Sequence, residues 1–361
     1  MPHPPLILPV FLPYAGCRER CLFCNQRTMA AETPSPLAVR ERIAASIEKI
    51  DTLQKHREKQ VAFYGGSFTA MERSDQISYL KEVQPFMSSG QIDSIRLSTR
   101  PDALDQKSFE FLTSFGVKTV EIGAQSMDDH VLLLSGRGHT AEDTISAVNR
   151  LMDYGFEVGV QLMIGLPEDN FELFLHTLDR IIGLKPHFVR IHPTVVLKGA
   201  PLELLWRAQR YSPLSLEEAT QWLKTGLIKM ERASIPVARL GLQTTEDLRD
   251  HVLAGPYHPA FRHLVESAIA FDLLAQLFKS CPEKGEVLLL CHPREMSNLR
   301  GQRNENIRNL KERFRLGEIR VQGSEQVDVG TFLLQTPCKK VLIRRQDLVY
   351  DGFGKPQFNG D

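Results

Sequence analysis

Phe115-Gly116-Val117-Lys118-Thr119-Val120-Glu121-Ile122 decides the fold, because the chain repeats its plan. Tyr154-Gly155 leads into Phe156-Glu157-Val158-Gly159-Val160-Gln161-Leu162, and Ile182-Gly183 leads through Leu184 into His187-Phe188-Val189-Arg190-Ile191. Each time a helical pattern closes on glycine, which accepts the left-handed conformation at a helix C-terminus most cheaply, and a β-rich run follows at once. Strands alternating with helices in this way predict parallel βα units. Working outward, Leu6 to Leu12, Gln60 to Tyr64 and Ser94 to Thr99 read as three earlier strands, and Pro236 to Leu240 as a last one. Ser35 and Pro36 read as N-cap and first residue of a helix whose apolar positions Val39, Ile43, Ile47 and Ile50 recur at helical spacing. Six βα units are fewer than the eight of a closed barrel. The reading is therefore α/β: an open, partial (βα)6 barrel of TIM type over residues 1–243, with its chemistry at the C-terminal ends of the strands. Residues 244–280 read as a helical connection packed on the barrel, and 281–361 as a small α/β module opened by Val287-Leu288-Leu289-Leu290. The tail Tyr350-Asp351-Gly352-Phe353-Gly354 reads as a turn or loose end.

With 361 residues, the chain has room for one large domain and a smaller one. Its 42% hydrophobic and 24% charged residues are ordinary for a soluble globular protein. Lys plus Arg (44) equals Asp plus Glu (44), so any basic surface for a polyanion must be local. Leu6 to Leu12 is too short to span a membrane and lacks the basic flank and cleavage site of a signal peptide, which predicts a cytoplasmic protein with no membrane partner. Six cysteines, three of them crowded together, argue for reduced thiols and a metal site rather than a disulfide framework.

Those three, Cys17, Cys21 and Cys24, follow the first strand in the order Cys-x3-Cys-x2-Cys. Three thiolates leave one coordination position without a protein ligand, where a small molecule can bind and react. A structural zinc site is the alternative, but such sites are closed by four ligands, and no second Cys or His pair lies nearby in sequence. Cys281, Cys291 and Cys338 are scattered and read as small buried hydrophobes. Four further stretches stand at strand ends. Phe63-Tyr64-Gly65-Gly66-Ser67-Phe68-Thr69 lets backbone approach a ligand closely, a tight turn being the plainer alternative. Arg96-Leu97-Ser98-Thr99-Arg100-Pro101-Asp102 offers Arg100 to the barrel mouth or, more blandly, to a surface ion pair. Glu121-Ile122-Gly123-Ala124-Gln125-Ser126, with Gly136-Arg137-Gly138-His139 after it, and Gln161-Leu162-Met163-Ile164-Gly165-Leu166-Pro167 put polar side chains inside apolar strands, where they need partners that a ligand can supply. His192 reads either as a substrate contact or as a hydrogen-bonded structural histidine.

The cysteine spacing, with Phe23 just before the last Cys, resembles the cluster loop of the radical S-adenosylmethionine (SAM) superfamily. The resemblance implies a 4Fe–4S cluster held by Cys17, Cys21 and Cys24, and S-adenosyl-L-methionine bound to the fourth iron. One electron from a flavodoxin- or ferredoxin-like donor would then split the sulfonium into methionine and a 5′-deoxyadenosyl radical. It further implies that Gly65, Gly66 and Ser67 hold the methionine part of the cofactor. The run from Thr99-Arg100-Pro101-Asp102 through Gly123-Ala124-Gln125-Ser126 to Gly165-Leu166-Pro167 is similar to both the catalytic subunit of Elongator and oxygen-independent coproporphyrinogen oxidases. By likeness to the second group, Ser98, Gln125, Arg137 and Gln161 stand where the cofactor is contacted, although that group carries carboxylates at the positions of Ser98 and Gln161. The stretch Val189 to Leu202, then Leu205-Trp206 and Tyr211-Ser212-Pro213, resembles Elongator's radical domain, and the likeness covers about residues 5 to 245. The chain departs from that family after it: 81 residues follow from Cys281 onward (361 − 281 + 1), without a Gly-rich pyrophosphate loop of the acetyl-CoA type. Instead Leu299-Arg300-Gly301-Gln302-Arg303-Asn304 to Leu310, then Glu318-Ile319-Arg320-Val321, resembles a KH module that clamps single-stranded RNA, the alternative being an ordinary amphipathic helix with a charged face. The implied function is a radical SAM enzyme acting on RNA, tRNA foremost. The alternatives are radical oxidation of a tetrapyrrole or other small molecule, and a non-catalytic metal-containing RNA-binding protein.

Overall fold

The computed structural model describes residues 4–17, 21–26, 32–50, 57–243, 246–279, 287–336 and 339–358. Cys281 and Cys338 lie outside the described residues; Cys291 is buried, as its reading requires. The chain forms two units, residues 1–213, 235–239 and 243–255 in the first, and 214–234, 240–242 and 256–361 in the second.

The first unit is a curled half-barrel of seven parallel strands in the order β1 (Leu6–Leu12), β2 (Lys59–Gly65), β3 (Ser94–Thr99), β4 (Val117–Gln125), β5 (Glu157–Ile164), β6 (Phe188–Pro193) and β8 (Val237–Leu240). Parallel neighbours need long crossovers. These are α1 (Pro36–Glu48), α2 (Arg73–Ser88), α3 (Gln106–Ser114), the pair α4 (Asp129–Leu134) and α5 (Ala141–Asp153), and α6 (Phe171–Leu184). Ser35 caps α1 by accepting from the Ala38 N–H at 3.2 Å, with Pro36 at its first position, as the sequence predicts. One face of the sheet is buried under the helices through Val61, Phe63, Ile95, Leu97, Val120, Ile122, Val158, Val160, Val189 and Ile191. Each such side chain contributes about 1.5–3 kcal/mol. After β6 come β7 (Val196–Leu197) and α7 (Pro201–Arg207); β7 pairs antiparallel with β9 (Val252–Ala254), which follows α9 (Glu246–His251).

In the second unit α8 (Leu216–Arg232) and α10 (Phe261–Lys279) accompany a four-stranded mixed sheet ordered β11 (Ile319–Gly323), β10 (Val287–Cys291), β12 (Thr331–Gln335), β13 (Lys340–Arg344). Between β10 and β11 lie α11 (Met296–Arg300) and α12 (Glu305–Phe314), joined by Gly301 to Asn304. Asn306 fixes this turn, its buried amide donating to the carbonyls of Ser267, Asn298 and Leu299 at 2.9, 3.1 and 3.2 Å.

Three differences from the expected boundaries have local causes. Gly183 sits inside α6; exposed Lys185 takes the left-handed position instead (φ 52°), at a cost of about 1–2 kcal/mol, and its N–H reaches Ile182. The tail forms a hairpin, β14 (Leu348–Tyr350) against β15 (Pro356–Phe358), because the Asp351 carboxylate accepts from the N–H groups of Phe353 and Lys355 and closes the turn. Finally, residues 244–280 do not act as one helical connection: α9 and β9 group with the first unit and α10 with the second, while α8 leaves the first 243 residues to join α10.

Candidate functional site

Strand alternation selects what the open face of the half-barrel presents. Tyr64, Ser98, Gly123, Gln161, Arg190 and His192 are half-buried, whereas their neighbours Phe63, Leu97, Ile122, Leu162, Val189 and Ile191 are buried under helices. The register sets Gly123 beside Gln161, Gln161 beside Arg190 and Met163 beside His192. The sequence-predicted residues Ser98 and Gln161 therefore share one face with Gly123, towards the C-terminal ends of their strands.

The cysteine loop leaves β1 and docks on the end of β2. The Gly66 N–H donates to the Leu12 carbonyl at 3.0 Å, and the Ser67 N–H to the Ala15 carbonyl at 2.7 Å. A Cβ on Gly66 would stand 2.0 Å from the Ala15 oxygen, and one on Gly16 2.2 Å from the Ser67 oxygen. The glycine pair that sequence reasoning assigned to the cofactor thus has a second duty, the close approach of two backbones. Gln26 donates through Nε2 to the Gly65 carbonyl at 2.6 Å, its own N–H donates to the Tyr14 hydroxyl at 2.8 Å, and Asn25 donates to the Lys198 carbonyl at 2.6 Å. The buried Ser67 hydroxyl is engaged within the protein, 3.0 Å from that of Thr99 and accepting from the Arg100 N–H at 3.1 Å. Arg100 takes the bland alternative, a bidentate pair with Asp102 at 2.9 and 2.7 Å.

Arg137 ties the loop to the sheet. Its Nη2 donates to the Gly123 carbonyl at 2.6 Å and its Nη1 lies 3.2 Å from the Cys21 sulfur, while its buried Nε has no partner. Cys21 is buried and Cys17 and Cys24 are half-buried. Burial, then the neighbouring Cys21 and Cys17 thiols, push Cys24 up to about 12; burial and Cys21 raise Cys17 against the opposing pull of Arg137. Bound metal reverses this balance, because a cation favours the thiolate. Among the described residues no three His, Cys, Asp or Glu side chains lie close enough to share one ion. The three thiols nonetheless act on one another electrostatically, and three thiolates are a donor set that suits separate irons of an iron–sulfur cluster. Phe23 packs with Leu173 against Val131, Met163 and Leu166, anchoring the loop beside Cys24. Gln125 is left-handed (φ 71°) and its Oε1 accepts from Gln161 Nε2 at 3.3 Å; the Ser98 hydroxyl lies 3.4 Å from the Phe63 carbonyl.

Sequence reasoning missed a charged network deeper on the open face. Glu121 is ion-paired with Arg96 (2.9 Å) and Arg190 (2.8 Å) and accepts from the Tyr64 hydroxyl (2.8 Å), which Arg190 also reaches at 2.8 Å. The partner that a buried Glu121 needs is therefore protein, not ligand. The visible signal was a charge at one strand position in each of β3, β4 and β6. Beyond β5, the Gly165 N–H donates to Asp169 at 2.9 Å and the Tyr211 hydroxyl donates to the Gly165 carbonyl at 2.6 Å. Burial pushes Asp169 up to about 7 against those backbone donors.

The family model described as the Radical SAM superfamily matches residues 11–181, and that of the Radical_SAM C-terminal domain matches residues 186–270. The chain belongs to the radical SAM superfamily. That family uses a 4Fe–4S cluster and SAM. The chain is 27% identical over 219 residues to a tRNA uridine(34) acetyltransferase of Methanocaldococcus infernus, covering 52% of this chain and 41% of that protein. It is 25% identical over 208 residues to Protein YhcC of Escherichia coli K12, covering 56% and 65%. Its fold is shared with the Elp3 structure from Methanocaldococcus infernus (TM-score 0.59, 22% identity, 74% of this chain and 63% of that one). The match spans 41%, 40% and 54% of three curated tRNA uridine(34) acetyltransferases, so about half of their length or less has a counterpart here. Among the described residues no helix is long and apolar enough to cross a membrane.

Proposed function

We propose that this radical SAM protein is an enzyme that holds a 4Fe–4S cluster through Cys17, Cys21 and Cys24 and acts on RNA, tRNA foremost. The observation that carries the reading is Arg137, whose guanidinium joins the Cys21 sulfur to the Gly123 carbonyl and so fixes the cysteine loop over the strand ends. When bound, the cluster supplies the electron that splits SAM into methionine and a 5′-deoxyadenosyl radical. The chain's own residues position and shelter that chemistry. Gly65 and Gly66 offer backbone at the edge of the cysteine loop. Gln125 and Gln161, already bonded to each other, present amides to the cofactor's sugar and base, and Ser98 adds a hydroxyl where coproporphyrinogen oxidases have a carboxylate. Phe23, on the apolar cluster beside Cys24, keeps water from that side of the loop. The RNA reading rests on the names of the curated relatives, and on the basic segment from Arg294 to Arg320, which includes the turn between α11 and α12 and carries eight Lys or Arg against four Asp or Glu.

The test is anaerobic reconstitution with iron and sulfide. We expect a brown protein that yields 5′-deoxyadenosine on reduction, and deuterium transfer from labelled tRNA into that product. A colourless protein holding zinc, or cofactor cleavage untouched in Cys21→Ala, refutes the assignment.

A further inference from the structure

Two side chains, His192 at the penultimate position of β6 and Arg239 at that of the neighbouring strand β8, have no hydrogen-bond partner among the described residues. Arg239, near the end of β8, makes no hydrogen bond or ion pair among the described residues, although it is only partly exposed. The charges acting on it are Arg190, the Tyr64 hydroxyl and Glu121. Glu121 is already committed to Arg96 at 2.9 Å and Arg190 at 2.8 Å. Among these groups three guanidiniums therefore share one carboxylate. Beside them stands His192, which feels both Arg190 and Arg239. The residue is half-buried, and its Nε2 is fully buried and bonds to nothing. Burial, reinforced by the two arginines, pushes that imidazole down to about 3, so near neutral pH it is an uncharged donor rather than a third repelling cation.

Surplus positive charge in a partly dry concavity costs free energy unless an anion joins it. An oxyanion between Arg239 and His192 would relieve the Arg190–Arg239 repulsion and take charge-assisted hydrogen bonds from the guanidinium and the imidazole N–H. A neutral acceptor could take the two hydrogen bonds but would leave the surplus positive charge uncompensated.

We propose that Arg239 and His192 form an oxyanion subsite that holds a phosphate or carboxylate group of the substrate on the open face of the half-barrel. This deepens the enzyme reading and rests on it for the word substrate, but not for the binding. The subsite is distinct from the residues assigned to SAM, which lie on the cysteine loop, at the end of β2, on β3, β4 and β5, and on the Arg137 turn. The anionic group is thereby pinned at the ends of β6 and β8.

The experiment is a titration of the cluster-reconstituted full chain, without reductant or SAM, by calorimetry. The probes are uridine 5′-monophosphate, malonate and uncharged uridine. At least one anion binds the parent chain and uridine does not; which anion binds tells a phosphate from a carboxylate source. Arg239→Gln weakens that binding by more than tenfold, and Arg239→Lys retains most of it. His192→Gln, which leaves every guanidinium in place, weakens it severalfold and serves if Arg239→Gln does not fold. No binding by the parent chain, uridine binding as well as its monophosphate, or parent affinity in Arg239→Gln or in His192→Gln overturns the subsite. Cofactor cleavage is assayed separately: cleavage without anion binding refutes the subsite alone, and anion binding without cleavage refutes the enzyme reading alone.

Discussion

Asp169 shows how one buried group couples this site to pH. Its carboxyl titrates near 7 in the folded chain, from an ordinary value of 3.8, because burial outweighs the backbone donors around it. A raised folded value means that the native state holds the proton more tightly than the unfolded one. Its contribution to stability is therefore full below about 4, declines as pH rises, and is gone above about 7, with a limiting slope of about 1.4 kcal/mol per pH unit. Asp169→Asn keeps an acceptor for the Gly165 N–H but has nothing to ionise. Urea denaturation at pH 5 and pH 8 should show the variant gaining stability relative to the parent at the higher pH; an identical gap at both pH values would rule this account out. None of this was legible beforehand. The sequence shows an Asp after Gly165-Leu166-Pro167, but the burial that shifts it comes from tertiary neighbours such as Tyr211, which reaches the same Gly165 from a distant segment. Cys17, Cys21 and Cys24 were legible because their spacing is local and their chemistry unusual.

At the scale of elements, the docking of the cysteine loop on β2 is the joint on which the site depends. Gly66 is the sharpest test, since the atoms that a Cβ would strike are all Ala15 backbone and cannot rotate away. Gly66→Ala should cost about 1–3 kcal/mol and lower the iron bound per chain after reconstitution. Gly90 is the control. Unlike Gly66 it is left-handed (φ 71°), but a Cβ there meets nothing within 4 Å, so Gly90→Ala should cost about 1–2 kcal/mol from backbone strain and leave iron loading unchanged. Equal iron loss in both variants would remove the interlock from the argument. Strands and caps governed by neighbours in sequence were readable, as β1, β3 and the Ser35 cap show. Gly65 and Gly66 were read as a cofactor contact or a tight turn, because nothing in the sequence says that Ala15 will lie against them.

For the whole molecule, the telling feature is the allegiance of α8, which precedes the last barrel strand in sequence yet packs with α10 in the second unit. Its buried face carries Ala219, Leu223, Leu227, Ile228 and Met230, and Lys224 at 2.7 Å from Asp272 of α10. A fragment cut after residue 243, where the barrel pattern ends, would bare that face and strand Lys224 without its partner. Such a fragment should elute as aggregate in size-exclusion chromatography while the full chain elutes as a discrete species; a monodisperse fragment would refute the assignment of α8. α8 is amphipathic, but an apolar stripe does not name the surface that covers it. The order of synthesis turns this into a demand on the cell. The ribosome releases α8, then β8, and only later the α10 that shelters it. During that interval the nascent chain carries a greasy helix in the middle of an otherwise collapsing barrel, so a chaperone on the emerging polypeptide, or fast translation through this segment, would govern how much protein reaches maturity.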